Sequence, residues 1–160
     1  LAHPSPDMVD LDVTLQRLGV ADKLVVMSGE TVRNEAAMRG LAQASWTLAD
    51  IEERYASFVT RFRPLIAAQE KDANVLPKSA FVVRTLLIQE YRKVLLRDPQ
   101  LPEELLPAGW HGISAYQLCR NLYRAIHAEA DAYLTTIMET ADGPLPPPAP
   151  AFMQRFGGLT

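Results

Sequence analysis

A mainly α-helical chain, opened by a fragment of an α/β domain, is the fold class that three features of the sequence predict. From Asn34 onward, apolar residues recur at steps of three and four, the signature of helices with a buried stripe. Before that point only LVVMS, residues 24–28, reads as a strand, and a lone strand leaves its backbone donors and acceptors without partners. After Asp142 the run DGPLPPPAPAFMQRFGGLT is too rich in proline to prolong a helix. The orphan strand and the start at Leu1 point to a piece of a longer protein. Residues 1–33 are expected to be the remnant of a middle domain, 34–141 a helical bundle domain, and 142–160 a Pro-rich tail.

The elements follow from local signals. Asp7 is placed to cap a short helix carrying the apolar residues Met8, Val9, Leu11, Val13, Leu15 and Leu18, which Gly19 ends. NEAAMRGLAQA makes a second short helix leading to Trp46. Thr47 caps a long third one, with Asp50 in the capping-box position. Its stripe is Leu48, Ile51, Tyr55, Phe58, Phe62 and Leu65, and Pro64 is expected to bend it. The helix from Pro77 to Arg97 is apolar nearly all round, which predicts a central position. At about 100° per residue, Arg84 lies opposite Lys93 and must point into packing or a pocket, where it needs a partner. LLRDPQLPEELLPAGW, residues 95–110, interrupts the helices. Pro102 opens one helical turn, Pro107 closes it, and Leu101, Leu105, Leu106 and Trp110 pin the connector. Residues 112–140 form the last helix, its core face running from Ala115 to Ile137, with Ala128 as a candidate break. In the tail, Phe152, Met153 and Phe156 predict docking, on this chain or on a dimer partner.

Composition narrows function by exclusion. The chain has 160 residues, 48% hydrophobic and 22% charged, with a formal net charge of −3, which opposes wrapping duplex DNA by bulk electrostatics. Cys119 is the single cysteine, so no intrachain disulfide forms and a reducing cytoplasm fits. No apolar run reaches the roughly 20 residues that span a bilayer, so no membrane role is expected. There is no Gly-rich phosphate loop and no GxSxG elbow, and Cys119 lies on an apolar stripe. His127 and Asp131, four apart, read as a polar pair rather than a metal site. No catalytic residue, no metal, no cofactor and no enzyme activity are expected.

One signal remains. Between Lys78 and Arg97 stand five basic residues (Lys78, Arg84, Arg92, Lys93, Arg97) against Glu90, a cationic stretch in an acidic chain. Guanidinium forks grip phosphate while rings stack on a planar group, and Tyr55, Tyr91, Trp110, Tyr116 and Tyr123 are the rings at hand. The competing reading is structural, with Arg84 paired to Asp50 or Glu53 and Arg97 with Asp98 at helix ends.

The run FVVRTLLIQEYRKVLLRDPQLPEELLPAGWHGISAYQLCRNLY, residues 81–123, closely resembles the C-terminal domain of PaaX-type transcriptional repressors, regulators of phenylacetic acid degradation. Upstream, SWTLADIEERYASFVTRF resembles that family's joining segment. HPSPDMVDLDVTLQRLGVADKLVVMSGE resembles the end of its ferredoxin-like middle domain. One departure is Gln89, where many relatives carry His. The resemblance implies an effector-sensing and dimerisation region that acts as a homodimer and responds to phenylacetyl-CoA or a related aromatic acyl-CoA. Operator DNA would be bound only through an N-terminal winged helix-turn-helix that no segment here resembles. On this reading the effector contacts expected are Arg84, Tyr91, Arg92, Trp110 and Tyr116. A helical interaction scaffold without a ligand is the alternative.

Overall fold

The computed structural model describes residues 8–26, 35–71 and 75–159. The chain divides into two compact units, Leu1–Ala49 with Asp98–Ala108, and Asp50–Arg97 with Gly109–Thr160. Six helices and one short hairpin are seen among the described residues.

In the first unit, α1 spans Met8–Arg17 and closes in a Schellman turn. The Val20 amide donates to the Leu15 carbonyl at 3.1 Å and the Gly19 amide to Gln16 at 3.0 Å. Gly19 has φ +65°, which is why glycine stands there. The strand expected from Leu24 does not form over Leu24–Val26. Leu24 has extended backbone, φ −120° and ψ 140°, but no ladder neighbour, and Val25 is 85% exposed. Extended backbone becomes a strand only beside another, and the described residues offer none here. Met27, Ser28, Asn34 and the capping Asp7 lie outside the described residues. α2, Glu35–Ser45, packs on a one-turn 3-10 helix at Glu103–Leu105, the turn expected between Pro102 and Pro107. Ahead of it, Asp98 Oδ1 accepts the Gln100 amide at 2.7 Å, an Asx turn that holds Gln100 at φ +51°.

The second unit is built on three long helices: α3 (Leu48–Lys71), α4 (Pro77–Leu95) and α5 (Gly112–Ile137). Ile51, Tyr55, Phe58, Val59 and Phe62 bury one stripe of α3. α3 runs on through Pro64, at a point where the chain is exposed and the unpaired carbonyl of Thr60 can meet water. α4 differs from its expected all-round burial. It packs on α5 and buries one stripe, Ala80, Arg84, Leu87, Tyr91 and Val94, with the Tyr91 ring 5.5 Å from Phe58 of α3, and leaves Val82 46% and Leu86 48% exposed. α5 is unbroken at Ala128. It buries Ala115, Leu118, Cys119, Leu122, Tyr123, Ile126 and Ala130, while Ile137, expected in the core, is 53% exposed at the helix end.

Two devices set the start of α5. The Glu52 carboxylate accepts the His111 amide at 2.8 Å and also meets the His111 ring nitrogen Nδ1. Trp110 folds over Gly112, where any Cβ would strike the indole.

Beyond α5 the chain reverses through β1 (Glu139–Thr140) and β2 (Gly143–Pro144), an antiparallel pair closed by Thr140 Oγ1 donating to the Gly143 carbonyl at 2.9 Å. The tail then docks on its own chain. Pro150 opens α6, Pro150–Met153, where its fixed φ suits a first helical position. Phe156 sits 5.1 Å from Tyr123 and 6.2 Å from Tyr116, and Leu159 is buried.

Candidate ligand-binding groove

Arg84 is the one charged side chain in the core of the described residues, 8% exposed as a residue. A buried guanidinium must be paired, and α5 supplies the partner: Arg84 Nη1 donates to Asp131 Oδ1. The other Asp131 oxygen stands 3.9 Å from His127 Nδ1, and His127 Nε2 hydrogen-bonds the Leu159 carbonyl at 3.1 Å. A polar chain therefore runs from α4 through α5 to the tail. Asp50 and Glu53, the partners weighed from sequence, are not the ones used. His127 and Asp131 do face each other, and no cluster of three metal-binding side chains occurs among the described residues.

Beside Arg84 opens a groove of about 480 Å³. α4 provides Arg84, Thr85, Ile88, Gln89, Arg92 and Lys93, its C-cap provides Leu96, α5 provides Tyr123, and the tail provides Phe152 and Arg155. Four basic side chains line it and no carboxylate does. Lys93 is held by Glu90 at 2.5 Å, and Glu90 is not in the lining of this groove. The Arg155 guanidinium lies 4.9 Å over the Phe152 ring, a cation–π contact that orients the fork without neutralising it. Among the described residues neither Arg92 nor Arg155 has a carboxylate partner. The apolar part of the lining, Ile88, Leu96, Tyr123 and Phe152, suits a ring or an acyl chain. The arrangement can hold an anionic ligand with an apolar end. Cys119 lies outside this lining, fully buried, and burial pushes its thiol up to about 12.

The five residues expected to contact an effector fall into three places. Arg84 and Arg92 line the groove together. Tyr91 and Trp110 sit in an aromatic cluster around Tyr55, with ring centroids 6.4 and 5.6 Å from it, and are not in the lining of this groove. Tyr116 is 43% exposed and meets Phe156 of the tail. Sequence reasoning missed Asp131 as the anchor of Arg84, and Phe152 with Arg155 as a wall. The aromatic residues of the tail were the available signal for that wall.

The chain matches the family model described as PaaX-like protein C-terminal domain over residues 46–136. It is 40% identical over 162 residues to a protein of Escherichia coli (strain K12) named Transcriptional repressor PaaX. That alignment takes in 99% of this chain and 51% of the relative, so the chain spans about half the length of the protein it matches.

Proposed function

The chain belongs to the PaaX-like C-terminal domain family, and from that premise we propose that it is the effector-sensing region of a transcriptional repressor of phenylacetate catabolism, with phenylacetyl-CoA or a related aromatic acyl-CoA as its ligand. The observation that carries the reading is the groove beside Arg84, where cations cluster without a lining carboxylate. Like charges held together disfavour the empty state, and a polyphosphate relieves that cost with charge-assisted hydrogen bonds. Arg92 takes the phosphates, Arg84 is held ready by Asp131, and the apolar wall takes the acyl group or adenine. Ligand binding controls DNA only if it favours one arrangement of the repressor over another.

In this reading residues 1–33 are the remnant of a ferredoxin-like domain, 34–141 the helical sensor and 142–160 its tail, within a cytoplasmic homodimer. The exposed Val82 and Leu86 of α4 offer apolar surface for that pairing. Operator DNA is engaged through a winged helix-turn-helix outside this chain. A ligand-free scaffold is the second reading, favoured by the Arg84–Asp131 pair, which satisfies the buried charge without any ligand.

Thermal unfolding separates the two. A ligand at a hundredfold excess over its dissociation constant stabilises the folded state by about 2.7 kcal/mol. Phenylacetyl-CoA is expected to raise the melting temperature, with phenylacetate giving no rise and free coenzyme A a smaller one. No rise with any of the three leaves the scaffold reading standing. Sedimentation of the same samples reports the assembly state.

A further inference from the structure

The tail is anchored more firmly than a solvated Pro-rich end requires. Leu159 is 6% exposed, its amide donates to the Met153 carbonyl at 3.0 Å, and its carbonyl is held by His127 Nε2. Phe156 adopts φ +55° and ψ +28°, a left-handed conformation that a non-glycine residue rarely takes. Gly157 and Gly158 follow at φ +78° and +109° and complete the reversal. Backbone held in a sparsely populated region points to something its surroundings enforce. Here the enforced geometry seats the Phe156 ring on Tyr123 and Tyr116, and sets Phe152 and Arg155 along the groove.

Five prolines between residues 144 and 150 narrow the unfolded ensemble of the tail, so docking forfeits less entropy. His127, which holds the Leu159 carbonyl, stands one helical turn before Asp131, the partner of Arg84, with its Nδ1 3.9 Å from Asp131 Oδ2, so the fastening of the tail and the floor of the groove are neighbours on α5.

Resting on the reading of the groove as an acyl-CoA site, we infer that residues 150–159 are a strap belonging to that site, with Arg155 a direct contact for a phosphate group of the ligand. Arg92 reaches the same ligand from α4. Phe152 keeps the Arg155 fork flat and presents its own face to the groove. Because the ligand touches both α4 and the strap, occupancy fastens the strap, and loss of the strap contact weakens binding.

The experiment uses the full chain with coenzyme A and phenylacetyl-CoA as probes. Calorimetric titration of the unaltered chain, Arg155→Met and Arg155→Lys gives affinities, and melting temperatures of the free proteins check folding. Removing one charge-assisted contact is expected to weaken binding by about tenfold or more in Arg155→Met, with partial recovery in Arg155→Lys. Trypsin cuts after Arg155 and releases the peptide Phe156–Thr160, which mass spectrometry detects. In the unaltered chain, saturating probe is expected to slow that release more than it slows cleavage after Arg17. Tight binding by the unaltered chain, equal binding by Arg155→Met and unprotected release of the peptide overturn the strap while leaving the groove reading intact. No binding of either probe by the unaltered chain overturns both.

Discussion

Two grooves flank α4, and they differ in how their charge is arranged. The first, of about 560 Å³, lies between α3 and α4, and three acids (Asp50, Glu53, Glu90) face three bases (Arg54, Arg61, Lys93) around Phe58, Phe62 and Val94. The second lies between α4 and the tail and holds Arg84, Arg92, Lys93 and Arg155 with no acid in its lining. Size does not separate them. In the first groove Arg61 reaches Glu90 at 3.1 Å and Lys93 reaches it at 2.5 Å, so these three charges are already spent on one another. In the second they are spent at Arg84, by Asp131, and at Lys93, by Glu90, while Arg92 and Arg155 have no carboxylate partner among the described residues. Unbalanced charge around an apolar wall marks a place that gains from an anion, and balanced charge marks a solvated helix contact worth little.

The largest effect is expected where a buried charge would be orphaned. Asp131→Ala leaves Arg84, whose side chain is 10% exposed, without its carboxylate. Breaking a fully buried pair costs about 3–5 kcal/mol. Asp131 is itself 37% exposed, so water moderates the loss to about 2–3 kcal/mol. Denaturant unfolding should show the midpoint falling without a change in slope, and Asp131→Asn, which retains an acceptor, should recover part of it. An unaltered midpoint in Asp131→Ala would mean that Arg84 does not depend on the pair.

Binding comes next in size and tests the contrast between grooves directly. Arg92→Met is expected to weaken phenylacetyl-CoA binding by about tenfold while stability stays within about 0.5 kcal/mol, since Arg92 is exposed and unpaired among the described residues. Arg61→Met, in the balanced groove, removes the same charge and should leave affinity within about twofold. Equal losses in both would mean that the chain attracts the ligand by net charge rather than at a site.

How far the sequence carries toward this picture depends on the range of each interaction. Helical period along α3 and α5 placed the core stripes well, because burial there follows spacing on one element. The same period located Arg84 inside, since it lies opposite Lys93. Its partner escaped because Asp131 is 47 residues away on α5, and the local pattern instead tied Asp131 to His127. Apolar residues nearly all round α4, Val82 and Leu86 among them, predict a central helix, yet side-chain chemistry does not say which faces acquire neighbours, and these two stay exposed. For the tail, Phe152, Met153 and Phe156 announced docking, while the surface that receives Phe156, Tyr116 and Tyr123, is fixed by tertiary packing alone. LVVMS, expected to find its partner strands outside this chain, forms no ladder over Leu24–Val26, since a strand is a property of pairs.

The smallest effect is the most discriminating between the grooves, because Lys93 lines both. Its hydrogen bond to Glu90, joined by the charges of Lys93 and Arg61, holds the Glu90 carboxyl below its ordinary value. A carboxyl whose folded-state value is lowered contributes stability above its unfolded value and loses it as pH falls through the folded one. Glu90→Gln should therefore cost about 0.5 kcal/mol or less at pH 7, and the difference from the unaltered chain should close on acidification below the ordinary carboxylate range. The same substitution frees Lys93 at neutral pH. If the cationic groove is the ligand site, Glu90→Gln should bind phenylacetyl-CoA about two- to threefold more tightly despite being slightly less stable, because the released ammonium can turn toward the phosphates. A gain in affinity that accompanies a loss of stability is the result a purely structural network of charges would not produce.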